Sequence, residues 1–369
     1  MKIYTITCHR VYNHGAALQA WALASFLNQQ GHDAHIIDYR PDYLRGHYTL
    51  RVANPIYDKP IIKWLYLAAK YPGWKKSLKR KLAFDRFDEK YIAPLVTSKT
   101  YYSAAELRSY PPSGDVYIAG SDQIWNTTFP NGTDSSFYLN FGADTVRRVS
   151  YAASFATSSL KEGTEQFVRT HLSQLDAISV REPSGIKLLQ TMGYEGNLVC
   201  DPVFLIDADE WISQIATRDG EGEKYVLVYD FECNKEIQSV AQKIARAKGL
   251  KIFSIGPWFL RYADRCYLHA GPDAFVSLVK NADCVLSNSF HATAFSFIFH
   301  RDVFVVKRAD GLNTRMQDLL RRFGLQERMV DNATPLEALL KTIDYTSVQP
   351  TINREIETSK KWLLDNIRG

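Results

Sequence analysis

The feature that most constrains this chain is a repeated change of hydrophobic period. Short apolar runs, too brief for helices, stop at small polar residues and give way to stretches with helical spacing. Lys2–Thr7 reads as a strand, Ala16–Gln30 as a helix stopped by Gly31, and His35–Asp38 as the next strand. Val116–Ala119, Arg148–Ala156 and Ala177–Val180 continue the strands, with a helix over Ser184–Met192. A second series opens after the Asp201-Pro202 turn. Its strands are Tyr225–Tyr229, Lys251–Ile255, Cys284–Leu286 and Val303–Val306, and its helices Lys235–Lys248, Asp273–Asn281 and Ala292–Phe299. Further helices are expected over Asn313–Phe323, Pro335–Thr342 and Asn353–Ile367. Such alternation folds as parallel sheets covered by helices. The expectation is an α/β fold of two Rossmann-like domains facing across a cleft, residues 1–205 and 206–369, the second ending in the terminal helix.

The 369 residues are too many for one ordinary core, which agrees with two domains. Residues 41–110 interrupt the alternation and read as a basic helical insertion. Between Arg40 and Lys90, 13 Lys/Arg face 5 Asp/Glu, an excess of 13 − 5 = 8 in a chain whose net charge is +5. The apolar Ile61–Lys70 lies beside the basic Lys75–Lys81. That pairing, over residues 61–81, suits a peripheral contact with an anionic membrane surface, though a solvated basic face has the same composition. No apolar run is long enough to span a bilayer, and Met1–His9 is too polar for a signal peptide, so a cytoplasmic protein is expected. The five cysteines are scattered without metal spacing; neither a metal nor a resident cofactor is expected, and no nucleic-acid partner.

In an open parallel sheet, ligands collect at the carboxyl ends of strands. Four such ends carry useful chemistry. Asn13-His14-Gly15 follows the first strand without matching a dinucleotide fingerprint. Gly120–Asn126 follows Val116–Ala119; Asp122 there suits a base or a sugar-hydroxyl ligand, and Trp125 a sugar-stacking face, unless they are a loop cap and a core ring. Arg181 stands between a strand and a helix, where its guanidinium fork fits a carboxylate or phosphate. His291 stands where Cys284–Leu286 ends and the next helix begins, beside free backbone N–H groups and within proton-transfer chemistry near neutral pH.

Assembled in order, these residues resemble the polysaccharide pyruvyl transferase family. The likeness rests on Asn13–Ala20, Gly120–Asn126, Tyr151–Phe155, Ser179–Gly185, Asp201-Pro202 and Ser289–Thr293. It implies a two-domain GT-B-type fold and transfer of a pyruvyl group from phosphoenolpyruvate to a sugar, forming a cyclic ketal. Arg181 and His291 match the family's donor contacts. Many members carry an Arg two residues before that His; here the position is Ser289, and Arg301, Lys307 or Arg308 are the substitutes considered.

Phosphoenolpyruvate, the co-substrate, carries two anionic groups and must gain a proton on its methylene carbon. We therefore assign His291 as general acid, with Arg181, Ser289 and the backbone at Ala292 holding the donor. Asp122 is the base, His14 its rival. Asn13, His14, Gln19 and Trp125 are assigned to the acceptor, a sugar of a surface polysaccharide or its lipid-linked precursor. Two other readings fit the same residues: a GT-B glycosyltransferase using a sugar nucleotide, and a non-catalytic glycan-binding member.

Overall fold

The computed structural model describes residues 1–45, 60–308 and 313–368, with part of the side chains in 60–76 left aside. The strands of the first sheet are β1 (Lys2–Ile6), β2 (Asp33–Tyr39), β3 (Val96–Tyr101), β4 (Val116–Ala119), β5 (Arg147–Ala153), β6 (Ala177–Val180) and β7 (Asn197–Leu198). Their helices are α1 (His14–Gln29), α2 (Pro60–Phe87), α3 (Ala104–Ser109), α4 (Glu165–Leu172) and α5 (Pro183–Thr191). A single turn, α6 (Ala208–Glu210), leads to β8 (Tyr225–Tyr229), β9 (Lys251–Ile255), β10 (Arg265–Tyr267), β11 (Cys284–Ser287), β12 (Asp302–Val306) and β13 (Met329–Val330). With them run α7 (Lys235–Lys248), α8 (Pro272–Asn281), α9 (Phe290–Ile298), α10 (Thr314–Arg322), α11 (Leu336–Leu340) and the long α12 (Tyr345–Arg368).

The first sheet has the order β3-β2-β1-β4-β5-β6-β7 and the second β10-β9-β8-β11-β12-β13, with every described pairing parallel. The α/β, two-sheet architecture expected from the alternation is therefore present. Each sheet reverses its winding once, between β1 and β4 in the first and between β8 and β11 in the second. Loops on either side of such a reversal splay apart and leave a crevice.

The two sheets do not merely face one another. Helix α1 is apolar nearly all round because it is wrapped by protein: Trp21 packs on Trp211 at 4.9 Å, and Trp211 on Phe295 at 4.9 Å. One apolar cluster thus runs from Ile3, Ile36 and Val149 through Leu23 to Phe275, Phe295 and Val303.

Several features differ from the sequence reading, which named neither the short strands β7, β10 and β13 nor the helices α3 and α4. The stretch read as an insertion contains a sheet strand, β3, whose sequence VTSKTY lacks an apolar run because it lies at the sheet edge with one neighbour. The basic part of that stretch forms the continuous 28-residue α2. Helix α12 begins eight residues before Asn353 and bridges the halves: the Tyr345 hydroxyl donates to the Ser296 and Arg301 carbonyls, Arg322 pairs with Glu355, and the helix also packs back on the first sheet. Trp362 lies 6.4 Å from Tyr151, the Cys200 N–H donates to Ser359 Oγ (2.8 Å), and the Arg147 guanidinium donates to the Asn366 carbonyl.

Candidate active site

The loops after β1, β4, β8 and β11, those flanking both reversals, meet around a pocket of about 260 Å³. They contribute Asn13, then Asp122 and Gln123, then Phe231, then Asn288 to His291; Arg308, Arg315 and Met316 complete the wall. Asn13, Asp122, Ser289 and His291 were assigned from the sequence and are brought together here.

Each residue of the β1–α1 loop has a separable task. Asn13 caps α1, its Oδ1 accepting the Ala16 N–H at 3.2 Å. His14 is fully buried and pins the loop to the second sheet. Its Nδ1 lies 2.8 Å from the Tyr229 hydroxyl, its Nε2 3.1 Å from the Ala270 carbonyl, and its ring stacks on Phe275. The carbonyl can only accept, so the proton sits on Nε2 and Nδ1 accepts from Tyr229. Burial first, then the Arg80 charge, push its pKa well below the ordinary value despite the Ala270 bond. His14 is therefore a neutral interdomain bolt and is withdrawn as a base and acceptor ligand. Gly15 is bare because the His291 ring lies against it: a Cβ there would stand 1.9 Å from His291 Nδ1.

Asp122 holds the left-handed backbone region (φ 73°), which Asp tolerates better than most residues. Its carbonyl accepts from Ile124 and Ser154, and its partly exposed carboxylate lies 3.9 Å from Arg181 Nη2. Ser154 reaches this position because β5 is bulged, with Ala152 at φ 52°. The Ser154 hydroxyl and Ala156 N–H both donate to buried Glu182.

Arg181 is 4% exposed. Its Nη1 donates to Asp201 Oδ2 at 2.5 Å, and its guanidinium lies over the Phe290 ring at 4.5 Å. Nε, 4.0 Å from Glu182 Oε2, and Nη2 are buried with no hydrogen-bond partner among the described residues. Asp201 Oδ2 also accepts from Ser121 (3.1 Å) and lies 3.6 Å from His291 Nε2. Burial opposes ionisation of Asp201, but His291 and then Arg181 hold its carboxyl well below the usual range. His291 Nε2 is itself buried without a hydrogen bond. Ser289 caps α9, receiving the Ala292 N–H at 3.4 Å. That amide is thus occupied, and the donor role assigned to the Ala292 backbone is withdrawn.

Arg315, in the first turn of α10, was not singled out from the sequence. It is 9% exposed and lines the pocket, and its Nε has no partner. Burial, then repulsion from Arg181, lower its pKa to about 10. A signal existed: a cation in the first turn of a helix opposes the dipole, which favours anions there. Of the three substitutes considered for Ser289, Arg308 lines the pocket, 3.7 Å from Glu232. Arg301 lies beyond the far end of α9 and lines a separate pocket with Phe299 and Ile352; Lys307 is not a lining residue of the His291 pocket.

Two acceptor assignments fail for the same reason, complete burial. Gln19 donates to Thr7 Oγ1 (2.9 Å) and the Ala16 carbonyl (3.0 Å), tying α1 to β1. Trp125 stacks on Tyr138 with planes 7° apart and donates to the Phe137 carbonyl. Neither presents a face to a ligand. No group of three or more His, Cys, Asp or Glu that could hold a metal occurs among the described residues.

The arrangement offers an anion the lining Arg315, with buried Arg181 next to the lining residues Asp122 and Phe290 and an imidazole 3.6 Å from the Asp201 carboxylate. No curated protein matches the sequence. Among solved structures, the chain is similar in fold to the UDP-GlcNAc 2-epimerase of Methanocaldococcus jannaschii, with 12% identity over 96% of this chain and 93% of that one, at a TM-score of 0.47. The glycosyltransferase SnogD from Streptomyces nogalater has 12% identity over 99% of each chain, at a TM-score of 0.45. The spinosyn forosaminyltransferase SpnP has 11% identity over the whole of both chains, at 0.45. The family model for polysaccharide pyruvyl transferase matches residues 13–310, from the α1 cap to just past Arg308, and the chain belongs to that family.

Proposed function

We propose that this protein is a ketal-forming pyruvyltransferase that takes its pyruvyl group from phosphoenolpyruvate. The observation that carries the proposal is the buried Arg315 in the pocket wall with His291, and behind that wall Arg181, which shares Asp201 with His291; each guanidinium keeps a buried N–H without a hydrogen bond among the described residues. Burying a cation without a counter-ion is costly, and an anionic ligand removes that cost for Arg315, while Arg181, already held by Asp201, keeps Nε and Nη2 free of hydrogen bonds. Phosphoenolpyruvate has a carboxylate and a phosphate; Arg315 lines the pocket, and Arg181 stands next to the lining residues Asp122 and Phe290.

In this reading His291 donates a proton to the methylene carbon. The imidazolium needed for that step is stabilised by Asp201, 3.6 Å from Nε2. The C2 carbon becomes electrophilic, and a sugar hydroxyl adds to it as Asp122 takes its proton. The C2–O bond to phosphate then breaks, inorganic phosphate leaves, and a second hydroxyl closes the ketal, its proton passing to His291 and restoring the acid. Arg181 and Arg315 stabilise the charge collecting on the departing phosphate. The acceptor is a sugar of a surface polysaccharide or of its lipid-linked precursor, and a lipid-linked acceptor would bring the enzyme to a membrane surface.

The test is phosphate release from phosphoenolpyruvate against a panel of galactosides, glucosides and N-acetylmannosaminides, with mass analysis of products. Acceptor-dependent phosphate release with a pyruvyl ketal on the product is expected. Titrations of phosphoenolpyruvate and of sugar nucleotides accompany it. Binding of a sugar nucleotide with no affinity for phosphoenolpyruvate would overturn the proposal in favour of glycosyl transfer.

A further inference from the structure

Helix α2 presents a stripe that the proposed reaction does not use. Trp64, Tyr71, Lys75, Leu82 and Arg86 follow one another at spacings of seven, four, seven and four positions, which places them on one face of a helix. All five are exposed, and the three large apolar members strongly so: Trp64 69%, Tyr71 48% and Leu82 53%. Lys79, also exposed, flanks the stripe. The opposite face is buried through Arg80, Phe84 and Phe87. The helix therefore has its inner face packed on protein and an outer face that alternates aromatic and aliphatic side chains with cations. Along Pro60–Phe87 the sequence has eight Lys/Arg and one acidic residue, Asp85, which is tied to Lys81 and Tyr12.

An outer face of that kind is more than a solvated basic surface, which has no use for an exposed Trp and Leu in line with the lysines. We infer that α2 lies on an anionic lipid surface, with Trp64, Tyr71 and Leu82 entering the headgroup region and Lys75, Lys79 and Arg86 meeting lipid phosphates. The contact is defined by exposure and not by the basic run as a whole: Arg80 is buried and stacks on Phe84, and Lys81 pairs with Asp85 at 2.6 Å, so neither faces a membrane.

The inner face of the same helix leads to the active site. Phe84 lies 5.9 Å from the Tyr12 ring and 5.0 Å from His14 at the start of α1, where the His291 ring lies against Gly15. A Cβ on Gly271, at the start of α8, would stand 3.1 Å from the Ala83 carbonyl. The lipid-facing helix is thus wedged against both the first-sheet loop and the second sheet's α8.

The experiment is co-sedimentation of the full chain with phosphatidylcholine vesicles, with and without phosphatidylglycerol, in the absence of any substrate. It is independent of the pyruvyl-transfer reading. Binding to the anionic vesicles alone is expected, weakening with salt. A Lys75→Gln, Lys79→Gln, Arg86→Gln variant should bind on the order of a hundredfold more weakly, each cation near an anionic surface contributing about a fivefold factor. Trp64→Ser with Tyr71→Ser should also release the protein. Trp64→Phe should keep binding while losing the quenching of tryptophan fluorescence by brominated lipid. Failure to sediment with anionic vesicles at low salt would overturn the inference, as would unchanged binding by the triple variant. A dimer of the wild type that Trp64→Ser with Tyr71→Ser dissociates would assign the stripe to a second copy of the chain instead.

Discussion

At the residue scale, the site contrasts a paired charge with an unpaired one. Arg181 is anchored by Asp201, while Arg315 is buried beside it without a carboxylate partner among the described residues. Such a group stabilises a ligand at the expense of the empty fold. Arg315→Met is therefore expected to weaken phosphoenolpyruvate binding by roughly 10- to 100-fold, the usual worth of a hydrogen bond to a charged group. Its thermal midpoint should stay level or rise. Titration calorimetry and a melting curve on the same sample check both; a lowered midpoint with unchanged donor affinity would make Arg315 a structural residue. Gly15→Ala makes the converse case. Alanine favours the helix by about 1 kcal/mol, yet its methyl group cannot coexist with the present position of His291. Turnover should fall about a hundredfold in a folded protein, since misplacing a catalytic group by an ångström has that effect. Full activity would mean that His291 does not act from where it stands.

At the element scale, the strand–helix alternation was legible because parallel strands buried on both faces must be apolar runs. Tyr225–Tyr229 and Cys284–Ser287 are wholly buried and were readable as strands. Strand β3 was not, since an edge strand with half-exposed side chains needs no such run. The loops are a subtler case. Motif residues Gln19, Trp125, Ser154 and Glu182 hold loop shapes from below, while Asp122 and His291 face the pocket. A sequence motif marks both classes alike, because the chemistry of a side chain does not state which way its Cα–Cβ bond points. His14 carries the prediction that belongs here. Its imidazole is neutral in the fold with a depressed pKa, so below about pH 6.5 the unfolded chain binds a proton that the folded chain refuses. Its contribution is complete above that pH and declines as pH falls, by up to about 1.4 kcal/mol per unit. Urea melts at about pH 7.5 and about pH 5.5 should show a smaller acid-side loss for His14→Gln than for the wild type. Equal losses would show that another group carries the pH dependence.

At the scale of the whole molecule, the apolar cluster that passes through α1 and the return of α12 to the first sheet make the halves interdependent. A large shared apolar interface suppresses independent unfolding of domains. Calorimetry should show one transition. Leu363→Ala, which empties a fully buried position on α12, should lower that single transition by an amount corresponding to about 2–5 kcal/mol without splitting it. A separate early transition in the variant would mean that α12 stabilises one half alone. From residues, spacing and motifs, the chain showed its α/β class, most of its strands, a likeness to its family, and Arg181 and His291 as candidate polar centres. These are local or pattern properties, set by hydrophobic period and by which residues end a strand. Tertiary structure decided which side chains share a pocket. It placed Arg315 beside Arg181 across 134 positions of sequence, withdrew Gln19, Trp125 and His14 into the core, and carried α12 back to the first sheet. The physical reason is that burial and proximity depend on the packing of both sheets at once, and a side chain's chemistry is the same on either side of a loop.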